Sequence, residues 1–292
     1  MENEKNHVTP EECKKFLNQK RKSKFSQIGK RQAKRDIDLS NGQENTAILF
    51  PVLHKSKLLK TNFDCKSNYI TKSFIKNKQL DEYMLPQEYS CTCIGKCNKN
   101  FCECVQNHVQ RYECNSNCEC NFNSCENRVI QKGIKKKLKV NFINNTKGFG
   151  LFTKENISKG EFICEYIGQI VSKDRALDKI HSNFVKNKAN YVLQIRENYQ
   201  NMTINTFIDA EEKGNVSRFI NHSCDPNLYF DIIRVEHFIP QIAFFTKRDI
   251  KDSEELTFSY CDLGMQYNQT GDTSSYKECE CGAANCRKYL PS

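Results

Sequence analysis

The chain has 292 residues, 38% of them hydrophobic and 27% charged, with a mean hydropathy of −0.72 and a formal net charge of +10. That composition allows one good-sized core and a smaller module beside it. The longest apolar stretch, residues 47–53, is broken by Pro51 and far too short to cross a bilayer, and the start Met1-Glu2-Asn3-Glu4-Lys5 lacks the apolar core of a signal peptide. A membrane partner is therefore excluded, and a soluble, intracellular protein is expected.

Basicity belongs to the N-terminal part: residues 1–90 hold 18 Lys/Arg against 11 Asp/Glu. Thr9-Pro10-Glu11-Glu12 reads as a helix start, with Thr9 as N-cap, Pro10 in the first helical position and Glu12 closing a capping box. A helix is expected from Pro10 towards Phe25. Residues 14–35 carry ten Lys/Arg and no acidic residue. This fits a nuclear-import signal or a patch making non-specific contact with DNA phosphates, a solvated helix face being the plain alternative. Residues 40–88 show no sustained period and read as a partly ordered linker.

Next come nine cysteines: Cys91, Cys93, Cys97, Cys102, Cys104, Cys114, Cys118, Cys120 and Cys125. Seventeen cysteines in a reducing compartment do not persist as disulfides, so zinc ligation is the better reading. Nine thiolates satisfy three tetrahedral zinc ions if six bind one ion and three bridge two. Two separate four-cysteine fingers would leave one cysteine over, and a finger that reads bases needs an exposed helix that these short gaps exclude. With every position filled by sulfur, the zinc is structural.

After Cys125, short β-like runs fall at 138–142, 149–153, 162–166, 191–195, 206–209, 228–235, 242–246 and 256–258, and one helix is expected from Ser172 to about Ile180. The fold class is therefore mainly β, with small sheets and few short helices. Cys279, Cys281 and Cys286 form a second set, for which Cys224 is the candidate fourth ligand. If thirteen thiolates hold four Zn²⁺, residues 91–292 change from a net +3 to −2.

Residues 214–227, read Gly-Asn-Val-Ser-Arg-Phe-Ile-Asn-His-Ser-Cys-Asp-Pro-Asn, and residues 254–260, read Glu-Glu-Leu-Thr-Phe-Ser-Tyr, resemble the two signature blocks of SET-domain lysine methyltransferases. The nine cysteines resemble the pre-SET module of the suppressor-of-variegation subgroup, and Cys279-x-Cys281-x4-Cys286 its post-SET module. Phe207-Ile208-Asp209, Ile239-Pro240-Gln241 and Tyr289-Leu290-Pro291 look most like the branch whose SET portion is joined to a mariner transposase.

The resemblance implies a basic arm (1–84), a three-zinc pre-SET module (85–133), a SET catalytic domain closed by a C-terminal pseudoknot (134–262) and a one-zinc post-SET tail (263–292). It implies a nuclear, chromosomal enzyme that uses S-adenosylmethionine on a histone H3 lysine of the nucleosome, lysine-9 favoured and lysine-36 the alternative. By match to the motifs, Tyr260 is the catalytic tyrosine, Tyr191 orients the amine, and Phe258 sets product multiplicity, leaving room for di- or trimethyl-lysine. The cofactor pocket would combine Lys147, Gly148, Phe149 and Gly150 with Tyr166, Arg218, Asn221 and His222. The family usually has tryptophan at the position of Phe149. The rival reading is a SET-like module that binds chromatin without catalysis.

Overall fold

Three small sheets carry the fold, and most of their strands are too short to stand alone. In this computed structural model the described residues are 36–51, 68–76, 89–95, 97–98, 100–106, 111–199, 202–263 and 277–290. In chain order the first strands are β1 (Ile37–Asp38), β2 (Ile48–Phe50), β3 (Phe74–Ile75), β4 (Arg111–Tyr112), β5 (Leu138–Asn144), β6 (Gly148–Thr153) and β7 (Phe162–Tyr166). There follow β8 (Gln169–Val171), β9 (Val192–Tyr199), β10 (Met202–Asp209), β11 (Asn221–His222), β12 (Leu228–Arg234), β13 (Gln241–Thr246) and β14 (Glu255–Phe258). The α-helices among the described residues are α1 (Glu103–Gln106) and α2 (Lys173–Val185), and neither is long and apolar enough to cross a membrane.

The sheets run β1-β2-β5-β6-β14-β11, β3-β8-β10-β9 and β4-β12-β13-β7. Alternation explains the central hairpin: Leu138 and Val140 of β5 point inward with no exposure and lie opposite Thr153 and Leu151 of β6. Each such side chain contributes about 1.5–3 kcal/mol by leaving water. The hairpin turns at Gly148, whose φ of 72° is the left-handed conformation that glycine adopts freely, while Asn144 Oδ1 accepts the N–H groups of Thr146 and Lys147.

Helix α2 starts where Ser172 accepts the Arg175 N–H. It buries Ala176 and leaves Leu177, Phe184 and Val185 exposed. It runs five residues past the expected end, because the last turn has no inward apolar stripe to announce it.

Of the partly ordered linker expected over 40–88, the described residues 40–51 and 68–76 include strands paired into the sheets. Within it and just before it, β1, β2 and β3 extend two sheets: β2 pairs in parallel with β5 (Ile48↔Leu138) and β3 with β8 (Phe74↔Gln169). Leu39, Ile48 and Phe50 are fully buried, and Thr46 Oγ1 donates to the Lys136 carbonyl at 2.9 Å. Residues 36–51 and 68–76 are thus packed onto the sheets that follow the cysteines and are not a loose arm. Strands of two or three residues are too short to show a period, and their partners lie about 90 residues away in sequence. The helix expected from Pro10 and the basic run at 14–35 lie outside the described residues.

The cysteine module meets the β domain through Glu113, which is 2% exposed. Its carboxylate accepts the N–H groups of Val129 (2.6 Å) and Ile130 (2.7 Å) and the Gln131 side chain (2.9 Å), which holds the 128–133 joint to the module.

Candidate active site and metal centres

A cavity of about 820 Å³ opens between β6, α2, the 216–222 segment, the end of β14 and the C-terminal tail. Its size suits a nucleotide-sized ligand, since such pockets run to about 300–1,000 Å³. It is lined by Lys147, Gly148, Phe149, Tyr166, Tyr191, Arg218, Asn221, His222, Phe258 and Tyr260, so ten of the eleven residues expected to bind cofactor or act in catalysis face one space. The eleventh, Gly150, lies behind the wall. A Cβ there would come within 2.6 Å of Ile143 Cδ1, 2.9 Å of Glu255 Oε1 and 3.2 Å of Asn221 Nδ2, so glycine is required for close packing.

The 216–222 segment is held from below. Asn215 Oδ1 accepts the Ser217 N–H and hydroxyl, and its Nδ2 donates to the Glu165 carbonyl, which fixes the short 3-10 turn bearing Arg218 and Phe219. The Arg218 guanidinium lies 4.2 Å from the Tyr191 ring centroid, a cation–π contact that fixes that tyrosine's plane. Phe149 sits in an aromatic nest, its ring 5.4 Å from Phe50, 5.5 Å from Phe142 and 6.1 Å from Phe219.

Strand β11 pairs in parallel with β14, Asn221 opposite Thr257 and His222 opposite Phe258. This carries Tyr260, two residues beyond β14, up against the 220–222 loop. Tyr260 N–H donates to His222 Nδ1 at 3.1 Å and its hydroxyl donates to the Ile220 carbonyl at 3.2 Å. His222 Nδ1 therefore carries no proton, and Nε2, 3.4 Å from Cys224 Sγ, holds it. Burial, then the neighbouring Tyr191 hydroxyl and the Glu255 carboxylate, push the Tyr260 phenol well above its usual range. Tyr166, raised likewise by burial and then by Tyr260, donates its hydroxyl to the Tyr191 carbonyl at 2.8 Å.

Both cysteine sets have the geometry that zinc requires. A tetrahedral ion with zinc–sulfur bonds of about 2.3 Å places its sulfurs about 3.8 Å apart. Here Cys114 Sγ lies 3.8, 3.7 and 3.5 Å from those of Cys91, Cys97 and Cys102, and Cys104 lies 3.6 Å from Cys118. Three overlapping quartets could each hold an ion: Cys91, Cys102, Cys104 and Cys114; Cys91, Cys93, Cys97 and Cys102; and Cys91, Cys97, Cys114 and Cys120. Cys91 belongs to all three quartets, and Cys97, Cys102 and Cys114 belong to two each. Cys118 and Cys125 are buried in the same cluster. Burial, with neighbouring thiols crowded alongside, pushes the Cys97 and Cys102 thiols up.

Cys224, Cys279, Cys281 and Cys286 form a further quartet, Cys224 and Cys279 being 4.0 Å apart. Burial alone would raise the Cys281 thiol, but backbone hydrogen bonds at Cys224 and Ala283 bring it down to about 6. Cys279 and Cys281 also line the cavity.

Sequence reasoning missed two features. Glu255 joins Lys147 (Oε2 to Nζ, 2.9 Å) and Asn221 (Oε1 to Nδ2, 2.8 Å), yet in sequence it is one of two adjacent acids of the 254–260 block to which no role was assigned. The apolar face of α2, with Leu177, Ile180 and Phe184, walls the cavity, and an exposed Phe at a helix end gave no sign of it.

Residues 148–261 match the family model described as the SET domain. A probable histone-lysine N-methyltransferase, set-23 of Caenorhabditis briggsae, is 37% identical over 69% of this chain and 86% of its own length. The human histone-lysine N-methyltransferase SETMAR is 37% identical over 57% of this chain, which spans 25% of that protein. The solved methyltransferase domain of human SETMAR superposes with a TM-score of 0.71 and 28% identity, covering 88% of this chain and 98% of that one. Arabidopsis thaliana SUVH6, solved in complex with SAM, gives a TM-score of 0.68 at 28% identity, covering 93% of this chain and 58% of that one.

Proposed function

The chain belongs to the SET-domain histone-lysine methyltransferases, and from that premise we propose that it moves methyl groups from S-adenosylmethionine to a lysine of the histone H3 tail. Lysine-9 is favoured over lysine-36, and the product is di- or trimethyl-lysine. The observation that carries this reading is the single cavity in which Tyr260 and Tyr191 meet Lys147 and Asn221. SUVH6, a structural neighbour solved with SAM, supports the choice of donor.

The donor, when bound, supplies a methyl group on a positive sulfonium, ready for in-line displacement. The chain's own residues account for the rest. Lys147 offers a cation and Asn221 an amide to the amino-acid end of the donor, and Phe149 offers an aromatic face. Tyr260, tied to the Ile220 carbonyl, keeps its proton across the physiological range, so it orients groups and does not act as a base. The substrate ammonium must lose its proton to solvent before or on entering. Tyr191, clamped by Arg218, orients the resulting amine. Phe258, 4% exposed and 4.8 Å from both the Phe244 and Tyr260 rings, has no hydroxyl to hold a water, which leaves space for a methylated amine.

In this proposal residues 85–133 are a pre-SET module holding three Zn²⁺, 134–262 with strands β1 to β3 the SET domain, and 263–292 a post-SET tail holding one. His222 links the tail's zinc ligand Cys224 to the Tyr260 backbone, so the zinc steadies the site without joining the chemistry. A slightly acidic zinc-loaded body suits a cationic histone tail, and the basic run at 14–35 would contact nucleosomal DNA through phosphates. Such an enzyme works in the nucleus, on chromosomes.

The test is incubation with nucleosomes and methyl donor, followed by mass spectrometry of the histones. Modification of an H3 lysine is expected, and Tyr260→Phe should lower the rate by about a hundredfold or more with zinc content unchanged. A Tyr260→Phe enzyme of full activity, or transfer to no histone lysine, would overturn the proposal.

A further inference from the structure

Glu255 opens β14 and touches two residues of the cavity wall at once. Asn221 Nδ2 donates to Glu255 Oε1 at 2.8 Å and to the Phe149 carbonyl at 3.0 Å. A carboxamide has two N–H groups and one oxygen, so both donors of Asn221 are spent on the protein and Oδ1 is what it presents to a ligand. The other oxygen of the same carboxylate, Oε2, accepts from Lys147 Nζ at 2.9 Å, with side chains only 15% and 22% exposed. The cavity wall is thereby given a fixed acceptor and a fixed cation side by side. Those are complements of an ammonium and a carboxylate, the two poles of an α-amino acid. Gly150 leaves room for the pair, since a Cβ there would come within 2.9 Å of Glu255 Oε1 and 3.2 Å of Asn221 Nδ2 and press on both.

We infer that Glu255 is a positioning residue that sets the polarity of the cavity's amino-acid end, holding Asn221 with its oxygen forward and Lys147 in place, and so selects donors that carry an intact α-amino acid. This rests on the methyl-donor reading above. Without the carboxylate, the Asn221 amide is free to turn over and Lys147 loses its tether, so an ammonium group meets N–H donors.

Two ligands separate this role from a general loss of structure: S-adenosylhomocysteine, which has the amino-acid end, and 5′-methylthioadenosine, which lacks it. Binding of each is measured by calorimetry on the full-length, zinc-loaded chain. Glu255→Gln should weaken S-adenosylhomocysteine about tenfold or more, as expected for lost hydrogen bonds to charged groups, and change 5′-methylthioadenosine less than about twofold. Should Glu255→Gln fold poorly by zinc content and melting, Glu255→Asp keeps the charge but is one methylene too short to reach both partners, and the same selective loss is expected. Equal losses for the two ligands, or no loss for S-adenosylhomocysteine, overturn the inference. A wild-type chain that binds neither ligand overturns the methyl-donor reading, and this inference with it.

Discussion

Replacing Phe50 by alanine tests whether the segment before the cysteines is part of the enzyme. Phe50 is fully buried, ends the strand that pairs with β5, and backs Phe149 at 5.4 Å. Deleting a buried Phe side chain costs about 3–5 kcal/mol, against a total stability of about 5–15 kcal/mol for a folded domain. At about 2–4 °C per kcal/mol for a body of this size, melting should fall by about 6–20 °C. Phe149 then has empty space behind it, so S-adenosylhomocysteine should bind more weakly in whatever fraction remains folded. Thermal melting and calorimetry, with zinc content as the control, read both effects. A variant that melts within about 2 °C of wild type and binds as tightly would refute the claim that β2 belongs to the catalytic body.

Phe258→Tyr adds a hydroxyl beside Tyr260, and mass spectrometry of a saturated peptide should show the product shifted towards monomethyl-lysine; unchanged di- or trimethylation would count against Phe258 as the limiting residue. Cys224→Ser should release about one zinc ion per chain and weaken S-adenosylhomocysteine binding, because Cys279 and Cys281 line the same cavity. Unaltered metal content would remove Cys224 from the quartet. With the Tyr260 phenol held above its ordinary value near 10, the rate should rise with pH as the substrate amine, of usual pKa about 10.4, loses its proton. No falling limb belongs to Tyr260 in that range. A peptide kcat/KM that peaks below about pH 9 with the protein still folded would contradict the role given to the tyrosine.

The parts of the molecule that could be read from the chain are those whose physics is local. Cysteine spacing is a count, and it marked both sets of thiols that the fold brings within reach of one another. The run that starts at Leu138 alternates because one face meets the core, and the run from Phe162 to Tyr166 is apolar enough to read because it is buried nearly throughout. The β9–β10 hairpin extends further than expected, to Tyr199 and from Met202, because its outer half is solvated and has no alternation to read. Strands β1 to β3 were illegible for a different reason: Ile48 and Phe74 become strand residues only when β5 and β8 are present to receive them. Glu255 was illegible because what distinguishes it from Glu254 is its hydrogen bond to Asn221, a residue 34 positions away that the pairing of β11 with β14 brings near and a linear chain does not display.

The two cysteine sets differ in how well they are shielded. Eight of the nine cysteines of the first cluster are buried, whereas Cys224, Cys279, Cys281 and Cys286 are all half-exposed. That site walls the donor cavity and, through His222, touches the backbone of Tyr260. The exposed cysteine set is thus the one that shares a wall with the cavity, while the shielded set contributes no residue to it.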